Sequence, residues 1–105
     1  MKRQVAEAAL KLVIEKILKE IGNDHIFDSH YVISQLIKFH SDEYLVYASS
    51  FDAGNNFTLT LHGQIGQLIA SFESTIIDRI PEMSWSENIH GKGSECTAWK
   101  KLKKI

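Results

Sequence analysis

The sequence predicts a mainly α-helical protein that ends in a small β-hairpin. Apolar residues recur at spacings of three and four through most of the chain up to Phe72, a period that is typical of amphipathic helices. After Ser74 the pattern changes, because a short β-branched segment ends at Pro81 and a polar stretch with two glycines follows. The predicted order of elements is therefore α-α-α-α-β-β, in a single domain that spans residues 1–105.

The first two helices are marked by local stop and start signals. Residues 2–21 are predicted to form an amphipathic helix, which ends at Gly22-Asn23 because these residues favour a left-handed stop. Ile26-Phe27 is a short extended segment. Asp28 or Ser29 then caps a second helix that runs to about Phe39, since a cap side chain satisfies an otherwise unpaired amide.

Two further helices follow. Ser41 is predicted to cap a third helix that runs to about Phe51, and residues 52–56 have the composition of a turn. Residues 57–61 alternate as in a strand, but a longer helical period covers residues 61–72, so we predict a fourth helix over 58–72. Gly63 and Gly66 weaken this helix by up to about 1 kcal/mol each relative to alanine.

The C-terminal third is predicted to form two strands. The first covers residues 75–80, and the second covers residues 95–102 and carries Trp99. A polar loop over residues 82–94 joins them into a hairpin, and residues 103–105 form a basic tail.

Composition narrows the class of protein. The chain has 105 residues, of which 44% are hydrophobic, enough to bury a core. The single cysteine, Cys96, favours a reducing compartment, so we expect a cytoplasmic protein. Charged residues interrupt the first apolar stretch, so we expect neither a signal peptide nor a membrane span.

Charge is balanced overall but uneven along the chain. The net charge is −1, so the chain as a whole is not a cationic nucleic-acid binder. Residues 22–57 carry one basic and five acidic side chains, whereas Lys100, Lys101, Lys103 and Lys104 give a basic C-terminal end. For this lysine run the simpler interpretation is a solvated tail.

The order of elements resembles a winged helix-turn-helix domain. The likeness covers residues 24–102 and leaves residues 1–22 as an appended N-terminal helix. It rests on Phe27-Asp28-Ser29 opening one helix, Ile65-Gly66-Gln67-Leu68-Ile69 within the last helix, and the segment from Ile76 to Trp99 as the wing. The resemblance implies a small DNA-binding module, in transcriptional regulation, replication or a mobile-element system, whose fourth helix enters the major groove beside the wing.

Five residues are the candidate contacts with double-stranded DNA. Thr60, Gln64 and Gln67 share a flank of the fourth helix away from its apolar face, and glutamine can pair with adenine edges. Lys92, between two glycines of the wing, and Lys100 are candidates for phosphate contacts. The fourth helix contains no Arg or Lys, however. The alternative is therefore a protein–protein interaction adaptor that uses the same fold without nucleic acid.

No residue pattern predicts catalysis, a cofactor or a metal. The five histidines lie in different predicted elements without the paired spacing of zinc sites. Cys96 lies in a predicted strand, where a packing role is commoner, and the string from His90 to Ser94 lacks the earlier glycine of a phosphate-binding loop. We therefore expect no enzymatic activity. The long first helix either covers the core or pairs with a second copy to form a homodimer.

Overall fold

The computed structural model describes residues 3–51, 57–82, 84–87 and 93–102. These residues form four helices and two small antiparallel sheets, so the protein is mainly α. The helices are α1 (Arg3–Glu20), α2 (Ser29–Phe39), α3 (Ser41–Ala48) and α4 (Phe57–Ala70). The strands are β1 (Ile26–Asp28), β2 (Ile77–Arg79), β3 (Ser84–Glu87), β4 (Gly93–Cys96) and β5 (Ala98–Lys101). None of the described helices is both long enough and apolar enough to cross a membrane.

The predicted number of helices, four, is confirmed among the described residues, but both ends of the third helix differ from the prediction. The Asp28 carboxylate caps α2 by accepting a hydrogen bond of 2.9 Å from the Tyr31 amide, as predicted. The predicted cap at Ser41 is wrong, because Ser41 is already helical and His40, at the cap position, makes no side-chain cap bond. The third helix also ends at Ala48 rather than near Phe51. The predicted turn at 52–56 lies outside the described residues.

The Ser49-Ser50 pair accounts for the early end of α3. The Ser49 hydroxyl donates to the Val46 carbonyl at 2.7 Å, and the Ser50 hydroxyl donates to the Tyr47 carbonyl at 2.6 Å. Serine side chains that bond to nearby carbonyls compete with the helical ladder, so the last turn tightens and the helix stops.

The predicted hairpin proves to be part of a larger arrangement. β5 lies in the middle of a three-stranded sheet of order β1-β5-β2 and runs antiparallel to both neighbours. The extended segment at Ile26-Phe27 is thus an edge strand of this sheet. The second predicted strand, residues 95–102, is in fact two strands: β5, and β4, which pairs with β3 in a separate two-stranded sheet.

All four helices and the larger sheet contribute to one core. α1, predicted as an element appended to the winged-helix core, supplies five of the buried side chains. The buried cluster consists of Ala6, Leu10, Ile14, Ile17, Leu18, Val32, Ile33, Leu36, Tyr47, Leu61, Ile65, Leu68, Ile69, Phe72, Ile77 and Trp99.

Two side chains of β5 fasten the sheet to the helices. The buried Trp99 indole N–H donates to the Ser29 hydroxyl of α2 at 3.0 Å. The Lys101 side chain is also buried, and its ammonium donates to the carbonyls of Lys19 at 3.0 Å and Ile21 at 2.6 Å. These carbonyls belong to the C-terminal end of α1, where a cation satisfies unpaired acceptors and complements the helix dipole. Lys101 therefore does not belong to the predicted solvated lysine run.

Candidate functional site

The exposed face of α4 is the candidate site, and it consists of neutral polar side chains. Thr60, Gln64, Gln67 and Ser71 are all exposed and follow one another at spacings of four, three and four. At 100° per residue these positions fall within a narrow stripe along the helix. We call these four residues the α4 stripe. The opposite face of α4 supplies Leu61, Ile65, Leu68 and Ile69 to the core.

Two glycines beside the stripe leave the helix backbone open to approach. A Cβ atom built at Gly63 or Gly66 would meet no atom within 4 Å. Packing among the residues that the structure describes therefore requires neither glycine. Glycine permits another molecule to approach the backbone closely, which suits a surface that contacts a bulky partner.

The stripe is held on a fixed helix by contacts at both of its ends. The Tyr44 hydroxyl of α3 is hydrogen-bonded to the His62 Nε2 atom of α4 at 2.8 Å, and burial raises the pKa of Tyr44. Beyond the other end of α4, the Phe72 ring is buried, and the Lys11 ammonium of α1 lies 5.6 Å from its centroid. The orientation of α4 is thus set by α1, α3 and the core together.

The electrostatic character of the site is neutral. The helix from Phe57 to Ala70 contains no Asp, Glu, Lys or Arg. Arg79, which follows α4 in β2, lies over the Trp99 ring at 5.0 Å and near the Glu73 carboxylate at 3.6 Å. A partner of the α4 stripe would therefore meet hydrogen-bonding groups before it met charge.

The structure brings together three of the five predicted contact residues. Thr60, Gln64 and Gln67 lie side by side in the α4 stripe. Lys100 lies on β5 with its ammonium 3.9 Å from the Asp24 carboxylate, and its register partners are Ile26 and Asp78. Because side chains alternate along a strand, Lys100 projects from the face of the sheet opposite to buried Trp99. Lys92 lies outside the described residues.

Two features of the fold were not predicted from the sequence. One is the buried Lys101, although alternation along Trp99-Lys100-Lys101 already placed it opposite to exposed Lys100. The other is the Tyr44–His62 hydrogen bond, which joins residues 18 positions apart and has no local signal.

Among the residues that the structure describes, no three His, Cys, Asp or Glu side chains lie close enough together to hold a metal ion. No family model, curated protein or solved structure matches the chain.

Proposed function

We propose that the protein is a non-enzymatic DNA-binding module of winged-helix type, in which α4 is the recognition helix. The observation that carries the proposal is the α4 stripe: neutral hydrogen-bonding side chains along a helix whose other face is fixed in the core. An α-helix fits the major groove of B-form DNA, and side chains along one stripe reach successive base pairs.

The order of elements supports the same proposal. The short strand β1 lies between α1 and α2, and the antiparallel pair β2–β5, with the β3–β4 hairpin between its strands, follows α4. In the winged-helix likeness this C-terminal β-region is the wing beside the recognition helix.

The residues of the proposed interface make two kinds of contact, with base edges and with phosphates. Gln64 and Gln67 carry an amide that can donate to and accept from the same adenine edge, and Thr60 can contact a base or a phosphate. Lys92 and Lys100 supply positive charges that contact the phosphates of the DNA backbone. With about two such cations, the logarithm of the binding constant should fall with the logarithm of salt concentration at a slope of about −2.

The second candidate function is a protein–protein interaction adaptor on the same fold. The absence of formal charge on α4 and the proximity of Lys100 to Asp24 favour it. A neutral polar surface with an accessible helix backbone suits a protein partner as well as a base edge.

Fluorescence anisotropy separates the two candidates. A binding site is first selected from a random duplex pool, and binding to that site and to mixed-sequence duplex is then measured at about 50 and about 200 mM salt. The DNA proposal predicts affinity that falls about tenfold between these salt concentrations. No binding at the lower concentration would reject the DNA proposal in favour of the adaptor.

Substitutions then test the assignment of residues. Gln64→Ala should weaken the selected site by about 1–3 kcal/mol and mixed-sequence DNA far less, because it removes a base contact. Lys92→Ala should weaken both duplexes alike. Gln4→Ala, at another exposed helical glutamine, is the matched control. Equal affinity of Gln64→Ala and parent for the selected site would refute the recognition-helix assignment.

A further inference from the structure

Large apolar side chains are exposed on two neighbouring helices, α1 and α3. On α1, Val5 is 58% exposed and Leu12 is 70% exposed. On α3, Leu45 is 60% exposed, and Val46 beside it is also exposed. α1 and α3 pack side by side in the folded protein. Extended apolar patches are uncommon on monomeric proteins, so this pair of helices marks an interaction surface.

The exposed face of α1 is apolar and basic. Val5, Ala9 and Leu12 lie within one helical stripe, which continues through Lys16 towards the C-terminal end of the helix. Among the residues that the structure describes, none forms an ion pair with Lys16, whereas the next lysine, Lys19, is paired with Glu15 at 3.0 Å. Lys16 is therefore available to an external carboxylate.

The exposed face of α3 is apolar and acidic. Asp42, Leu45 and Val46 lie on the side of the helix away from buried Tyr47, and Glu43 lies at its border. Within the described parts of the chain, neither Asp42 nor Glu43 forms an ion pair. The exposed face of α3 therefore carries Leu and Val side chains like those on α1, but its charged side chains are acidic where those of α1 are basic.

We infer that these two faces bind a second copy of this chain, with α1 of each protomer on α3 of the other. Two adjacent helices of opposite charge are complementary to themselves after a two-fold rotation, which is the requirement of an isologous dimer. Leu12 meets Leu45 of the partner subunit, Lys16 faces Asp42 of the partner subunit, and each contact occurs twice. Pairing α1 with α1 would instead oppose lysine to lysine.

This dimer is independent of the DNA proposal, because none of its residues belongs to α4. Its formation is measured by sedimentation equilibrium of the full chain over a range of protein concentrations. We expect a reversible monomer–dimer equilibrium. A protein that stays monomeric at about 1 mM, the range of very weak binding, would overturn the inference. Species larger than a dimer would overturn the two-fold arrangement, since they indicate an open-ended contact.

Matched apolar substitutions locate the surface. Leu12→Ser and Leu45→Ser should each raise the dimer dissociation constant about tenfold or more, because each change removes two buried leucine contacts per dimer. Ile26→Ser is the control, since Ile26 is 68% exposed but lies on β1 rather than on α1 or α3. An equal effect of Ile26→Ser and Leu12→Ser would contradict the proposed surface.

A charge exchange tests the pairing of α1 with α3 without altering the apolar contacts. Lys16→Glu alone should raise the dissociation constant several-fold, and Lys16→Glu combined with Asp42→Lys should return it to within about twofold of the parent, because opposite charges again face each other. Circular dichroism confirms that each variant is folded. A double variant that dimerises no better than Lys16→Glu would overturn the pairing.

Discussion

Replacing Lys101 with methionine should destabilise the protein strongly although no apolar contact is lost. Methionine keeps most of the aliphatic stem but removes the ammonium that donates to the Lys19 and Ile21 carbonyls. The Lys101 residue is 3% exposed, whereas the two hydrogen bonds that it donates are partly buried. The end of α1 and β5, the central strand of the sheet, would lose their polar connection.

The magnitude follows from the two carbonyls. An acceptor left without its partner costs about 1–3 kcal/mol when it is buried, so about 2–6 kcal/mol is the upper range for these two partly buried carbonyls. Part of this cost is offset, because an ammonium no longer has to be desolvated. We therefore expect a net loss of about 2–4 kcal/mol, a large fraction of the 5–15 kcal/mol that stabilises a typical domain. The midpoint of thermal unfolding should fall by roughly 10–20 °C.

Urea unfolding followed by circular dichroism measures this difference in free energy. Lys100→Met is the matched control, because Lys100 is the preceding residue of the same strand. Its side chain is exposed, and its ammonium lies 3.9 Å from the Asp24 carboxylate, a long distance for an ion pair. An exposed ion pair contributes about 1 kcal/mol or less, so the control should stay close to the parent. Losses for the two variants that agree within about 0.5 kcal/mol would refute the assignment of Lys101 as the polar connection to α1.

Three further predictions concern the helices and are tested by the same unfolding experiment. Gly63→Ala should raise the free energy of unfolding by about 0.5–1 kcal/mol, since the new Cβ meets open space and alanine favours the helix; a loss would show a packing role for Gly63. Asp28→Ala should lower it by about 1 kcal/mol through loss of the α2 cap, and Asp28→Asn should retain most of the stability. The raised pKa of Tyr44 stabilises the folded state below the ordinary tyrosine value of 10.0, and this contribution is lost as pH rises through the folded pKa. Tyr44→Phe should therefore flatten the alkaline decline in stability, and an unchanged decline between about pH 9 and pH 11 would contradict that origin.

The helices were predictable because their signals are local. Amphipathic spacing and the Asp28 cap each act within a few residues, so the sequence determined where α1, α2 and α4 lie to within about two residues. The left-handed stop after α1 was predicted at Gly22-Asn23, but the residue with a positive φ is Asp24, at 65°. The α4 stripe follows from the same periodicity, because burying the apolar face of a helix exposes the opposite one. The mistaken cap at Ser41 shows the limit of such signals: His40 and Ser41 are neighbours, and the cap motif alone does not show which of them is already helical.

The sheet and its connections were decided only by tertiary structure. Residues 95–102 form a continuous extended segment in sequence, but β4 pairs with β3 whereas β5 pairs with β1 and β2. The partner of β5 in β1 is some 70 residues away in the chain, and strand propensity carries no information about so distant a partner. The same folding decided that Lys101 is buried while Lys100 is exposed. A buried lysine needs hydrogen-bond acceptors for its ammonium, and here the end of α1 supplies two carbonyls only after the chain has folded.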